Sequence, residues 1–90
     1  MGLKDDLLAE EALEIQNLIE SKSWDLATER CRLLLEDRPK CADLWHFLGI
    51  ALQGLGQTDE GLQALENALK LNPSNGLLLY NYGTFLAQAG

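Results

Sequence analysis

The sequence contains no valine, and its β-branched and aromatic residues never alternate with polar ones over the length of a strand. A sheet protein is thereby excluded, and helices are left. The two cysteines, Cys31 and Cys41, are too few and too oddly spaced for a disulfide framework or a four-ligand zinc site, so both are read as reduced thiols. A single histidine, no G-x-x-x-x-G-K-[ST] and no G-x-S-x-G leave little material for catalysis. "GLGQTDEG" has glycines but neither the lysine nor the preceding strand of a phosphate loop. Cations are scarce as well: Lys and Arg number 7 against 14 Asp and Glu, for a formal net charge of -7. Phosphate backbones and anionic bilayer surfaces are repelled on balance, so neither nucleic acid nor a membrane is an expected partner. No apolar run is long enough to span a bilayer, and "MGLKDDLLAEEALEI" carries acids where a secretory leader carries cations. Asp6 stands where N-myristoylation wants Ser or Thr, and the expected compartment is the cytoplasm.

What is present is an ordinary globular composition, 47% apolar and 23% charged, in a chain of 90 residues that suits one domain over 1–90. Leu8, Ala12, Ile15, Leu18 and Ile19 fall on one helical face, and after a break at "SKS" the pattern resumes with Leu26, Arg30, Leu33 and Leu34. Pro39 ends that second helix. A third run spans about Ala42 to Leu55, "GQTD" breaks it, a fourth spans about Asp59 to Leu71, and Pro73 ends the pair. A fifth begins at Gly76.

The interval from Pro39 to Pro73 defines a period, and other positions agree when the chain is shifted by it. Asp25 aligns with Asp59, Ala27 with Gly61, Cys31 with Leu65, Leu48 with Tyr82, Gly49 with Gly83, Leu52 with Leu86, and Gly56 with Gly90. Within 42–75 stand Trp45, Leu48, Gly49, Leu52, Gly61, Leu65, Ala68 and Pro73, a pattern that resembles the tetratricopeptide repeat, W-x₂-L-G-x₂-Y, then A-x₃-F, then P. Residues 8–41 resemble it more loosely through Ala27 and Pro39, as a terminal unit whose acids meet solvent. Residues 76–90 hold a first helix, with Tyr82 and Gly83 in register. The resemblance implies an all-α, right-handed solenoid of antiparallel helix pairs, about two and a half repeats in five helices.

The glycines then acquire reasons. Gly49, Gly61 and Gly83 fall where the family packs paired helices closely, and Gly56 suits the left-handed C-cap of the third helix, with Gln57 or Thr58 near the next cap. Gly54 fits neither role and is read as a loosened final turn. Trp24 and Trp45 are read as packing groups.

The resemblance also implies that first helices line a concave groove for a peptide or protein segment. By repeat position the groove residues are Asp43, His46, Phe47, Ile50 and Gln53, then Leu77, Tyr80, Asn81 and Thr84, continued by Ala9, Ala12 and Gln16. A subset of the family grips a C-terminal carboxylate with Lys and Asn on these helices. Here Ala12, His46, Ile50, Leu77 and Asn81 occupy those places, so that clamp is unsupported, and the acidic composition points instead to a neutral or basic ligand. No cofactor or metal is expected, and no chemistry, since His46 has only Asp43 as a near acidic neighbour on its face. Three settings fit: a free-standing scaffold for a protein partner, the N-terminal recognition region of a larger glycosyltransferase, sulfotransferase or methyltransferase, or a homodimer through the last helix. The last follows because Leu78, Leu79, Tyr82, Phe85 and Leu86 are expected to form an uncovered patch.

Overall fold

A computed structural model describes residues 7–89, and within them the chain is five helices with no strand. They are α1 (Ala9–Glu20), α2 (Trp24–Asp37), α3 (Ala42–Gly54), α4 (Thr58–Leu71) and α5 (Gly76–Ala89). Asp6 and the pairing of Gly56 with Gly90 lie outside the described residues. Each helix packs mainly on its chain neighbours, most extensively α3 on α4, and α1 also touches α3. Helices α1, α3 and α5 therefore form one layer, and α2 and α4 the other.

The backbone repeats more faithfully than the side chains. In the α3–α4 turn Gly56 has φ +82, its N–H donates to the Gln53 carbonyl (3.0 Å), and Gln57 N–H donates to Leu52 (2.9 Å). In the α1–α2 turn, one period earlier, Lys22 has φ +60, Lys22 N–H donates to Ile19 (3.0 Å), and Ser23 N–H to Leu18 (2.8 Å). Both are left-handed helix endings that satisfy the last free carbonyls. The exits of α2 and α4 also coincide: Arg38 (φ -133, ψ 67) matches Asn72 (φ -142, ψ 74). Neither Gln57 nor Ser23 caps its helix through its side chain, whereas Asn75 Oδ1 accepts the Leu78 N–H (3.1 Å) and starts α5.

The core is two joined clusters. Ile15, Cys31, Leu34, Leu35, Cys41, Leu44, Leu48, Leu52 and Ala64 form one; Leu65, Ala68, Leu78 and Phe85 form the other. Trp45 is half-buried against both, and its indole N–H donates to the Pro39 carbonyl (2.8 Å), so the two signature residues hold each other. Burial of Cys31 pushes its thiol up to about 12, which keeps it a packing group.

Four expectations are corrected. The buried stripe of α2 is Ala27, Thr28, Cys31, Leu34 and Leu35, while Leu26 and Leu33 are exposed; reading the stripe from Leu26 puts it one position off. Leu78 and Phe85 are already buried against α4, so only Leu79 and Leu86 remain exposed on the open side of α5, beside half-buried Tyr82. Among the glycines, a Cβ at Gly49 would lie 2.9 Å from Leu65 Cγ and 3.1 Å from the Gly61 oxygen, but one at Gly83 would meet nothing within 4 Å. Gly83 is not a close-contact glycine, because that side of α5 faces no helix among the described residues.

Gly54 is not a loosened turn either. A Cβ there would fall within 2.6 Å of three Trp24 ring atoms, so the indole lies directly on that glycine. Gly83→Ala should stabilise the fold by about 1 kcal/mol through helix propensity alone. Gly54→Ala gains the same propensity yet should destabilise, because the indole must swing away. In a Trp24→Ala background its sign should reverse, which paired denaturation curves would read.

An ion pair ties the ends of the first unit. Arg38 donates from both terminal nitrogens to Glu11, each at 2.6 Å, with only 13% and 17% of the Arg38 and Glu11 side chains exposed. Glu11 Oε1 also accepts the Leu8 N–H at the start of α1 (3.1 Å). The Arg38 hydrogen bonds hold the Glu11 carboxyl below the usual range, more than burial raises it. A lowered folded value means the pair's stabilisation is complete above the unfolded pKa, ~4.3, and is lost as pH falls through the lower folded value. Glu11→Gln should therefore destabilise by about 1.5–3 kcal/mol at pH ~7 and flatten the acid limb of the stability curve in denaturant titrations.

Candidate functional site

Two side-chain pairs cross from α3 to α5. Asn81 Nδ2 and His46 Nε2 are 2.8 Å apart, and Gln53 Nε2 donates to Gln88 Oε1. The expected residues of α5 are spaced 77, 80, 81 and 84 along the helix, and Gln88, which is not among them, continues their face. On α3, Phe47 stacks beside His46 with ring centroids 5.9 Å apart and packs on the first cluster, while Ile50 packs on the second. Asp43 is exposed; His46, Gln53, Asn81 and Thr84 are half-buried, and Thr84 Oγ1 donates to the Tyr80 carbonyl (3.0 Å). Leu77 and Tyr80 stand out most, at 59% and 71% exposure.

The face is almost free of charge. Helix α5 contains no Asp, Glu, Lys, Arg or His, and α3 contributes only Asp43 and His46. Burial depresses the His46 pKa, with Asp43 opposing weakly, so the imidazole is held neutral. A neutral ring has an acceptor nitrogen for the Asn81 amide. Gln53 Oε1 is buried with no hydrogen-bond partner. Among the described residues no group of three or more His, Cys, Asp and Glu is placed to hold a metal ion, and no helix is long and apolar enough to cross a membrane.

Sequence reasoning missed the opposite layer. Between α2 and α4, over a floor of Trp45, Leu48 and Leu52, lies a cleft of about 450 Å³ rimmed by Arg32 and Glu60. Its rim residues belong to second helices, where no groove was expected, and singly they read as solvated polar positions. The available signal was their clustering after folding, since Arg32 and Glu60 are far apart in sequence and meet only across the cleft.

No curated protein matches the chain at significance. A family profile, the tetratricopeptide repeat, matches residues 42–75, the segment that contains α3, α4 and the turn joining them. Its signature residues pack closely here: Gly49 against Gly61 and Leu65, with Trp45 fixed to the carbonyl of Pro39. The helix pair α3–α4 is thus a tetratricopeptide repeat by its sequence, a unit that suggests a protein–protein interaction scaffold.

Proposed function

We propose that the α3/α5 face binds an uncharged, apolar-rich segment of a partner protein. The observation that carries this is the His46–Asn81 pair on a face with Tyr80 and Leu77 projecting beside it. Tyr80 supplies area with few rotors and a polar tip, and Asn81 keeps its amide oxygen for a ligand backbone N–H. With one carboxylate and no cation on the two helices, selectivity rests on shape and hydrogen bonds, so binding is insensitive to salt. The same proposal treats 8–41 as a first repeat and 76–90 as the start of a third, and it assigns the chain no catalysis, cofactor, nucleic acid or bilayer.

Selection from a random displayed peptide library tests it. Recovered peptides should be poor in Asp, Glu, Lys and Arg, and His46→Ala/Tyr80→Ala should weaken them at least about tenfold while leaving melting nearly unchanged. Equal binding by the double variant removes this face.

A second reading is favoured by one observation. The stripe Leu79, Tyr82, Gly83 and Leu86 repeats, one period on, the α3 stripe that α4 covers. We infer that a second copy covers it, giving a concentration-dependent dimer in sedimentation that Gly83→Leu and Leu86→Glu abolish.

A further inference from the structure

The α2/α4 layer offers a surface unlike the α3/α5 face. The 450 Å³ cleft continues into a second of about 360 Å³ that reaches toward the α3–α4 turn, and the two share Arg32 and Glu36. Their apolar walls are Trp45, Leu48 and Leu52 in the first, Leu33 and Leu55 in the second. Around them stand four carboxylates, Asp25, Glu29, Glu36 and Glu60, against one guanidinium. That guanidinium, Arg32, is engaged by Glu60 across the cleft at 3.4 Å, with both side chains more than half exposed (52% and 55%). Thr28, only 5% exposed, lines the second cleft, and its hydroxyl has no hydrogen-bond partner.

We propose that this double cleft docks an amphipathic helical segment of a partner protein, apolar along one side and carrying Lys or Arg along its flank. The apolar walls receive side chains of leucine size. The flank sets the ligand's charge: an anionic segment would meet three carboxylates, Asp25, Glu29 and Glu36, whereas a cationic one pairs with them and competes with Arg32 for Glu60. An ammonium entering beside Glu29 also gives Thr28 Oγ1 a donor. Asp25 to Glu36 spans about 17 Å of helix at about 1.5 Å per residue, matching an occupant of about three turns. Attachment here leaves the α3/α5 face open, so the two surfaces can hold different partners at once.

The experiment titrates a labelled Leu/Lys amphipathic peptide of about three to four turns, and its Leu/Glu counterpart, into the full chain, read by anisotropy. The Leu/Lys peptide should bind, more weakly as salt rises, and the Leu/Glu peptide should not. Glu29→Lys/Glu36→Lys should weaken it at least tenfold, and so should Gln63→Trp, which fills the cleft without altering charge. Tyr80→Ala should have no effect. Absence of Leu/Lys binding, equal affinity for both peptides, or loss on Tyr80→Ala with the cleft variants unaffected would overturn the proposal. Melting curves of each variant separate lost binding from lost folding, and Gln63→Trp keeps the test decisive if the double reversal does not fold.

Discussion

Leu65→Ala should cost the fold about 2–5 kcal/mol and lower its melting temperature by about 4–8 °C per kcal/mol. Leu65 is fully buried in α4, where it fills the space that Gly49 leaves open and anchors the cluster that receives Leu78 and Phe85 of α5. Its truncation leaves a cavity in the cluster where α3, α4 and α5 share packing, and backbones already at the separation set by Gly49 and Gly61 cannot close further to fill it. A chain of this size has only about 5–15 kcal/mol in hand, so a fraction of the variant should be unfolded at about 37 °C. Circular dichroism melts would show it, and a shift no larger than an exposed truncation such as Leu33→Ala gives would contradict the burial of Leu65.

The reverse experiment at the same contact should be comparably severe. Gly49→Leu places a branched side chain where even a Cβ comes within 3.1 Å of the Gly61 backbone oxygen, so α3 and α4 must separate. Overpacking of this kind costs about 1–3 kcal/mol and more when backbone must move. The gain in helix propensity, about 1 kcal/mol, offsets only part of it. Leu65→Ala added to Gly49→Leu should recover stability relative to either change alone, because one side chain then occupies the other's space. Strict additivity in that double-variant cycle would mean that the two residues do not touch.

How much of this is legible in the sequence depends on the residue. Trp45, Gly49, Gly61 and Leu65 can be found because the Pro39–Pro73 period and the signature pattern constrain them together, and all four meet at the α3–α4 interface. Gly83 shares the pattern yet has an empty surrounding, since a signature records what a position packs against when its partner helix is beside it. Gly54 escapes the pattern for the opposite reason: its contact is with Trp24, on an earlier helix in another unit, a pairing that no local period reveals. The one-position error on α2 comes from starting the stripe at Leu26 and carrying it through Arg30 and Leu33, although Leu26 and Leu33 are exposed and the buried places belong to Ala27, Thr28, Cys31, Leu34 and Leu35. On the α3/α5 face His46 and Asn81 meet across the two helices, but neither that bond nor the Gln53–Gln88 bond can be read from the sequence, because both depend on the two helices' relative height.

The order in which helices touch has a further meaning. Because α1 and α5 are each held chiefly from one side while α3 is held by both α2 and α4, the chain behaves as a row of coupled units rather than one block. Opening should travel inward from the ends. Amide hydrogen exchange would then grade along the chain, fastest in α5 and α1 and slowest around Leu48, Leu52 and Leu65, with the terminal helices exchanging by partial opening and the central pair only by global unfolding. A ligand across α3 and α5 would couple a fraying helix to the most protected one, so its binding should register first as slowed exchange in α5.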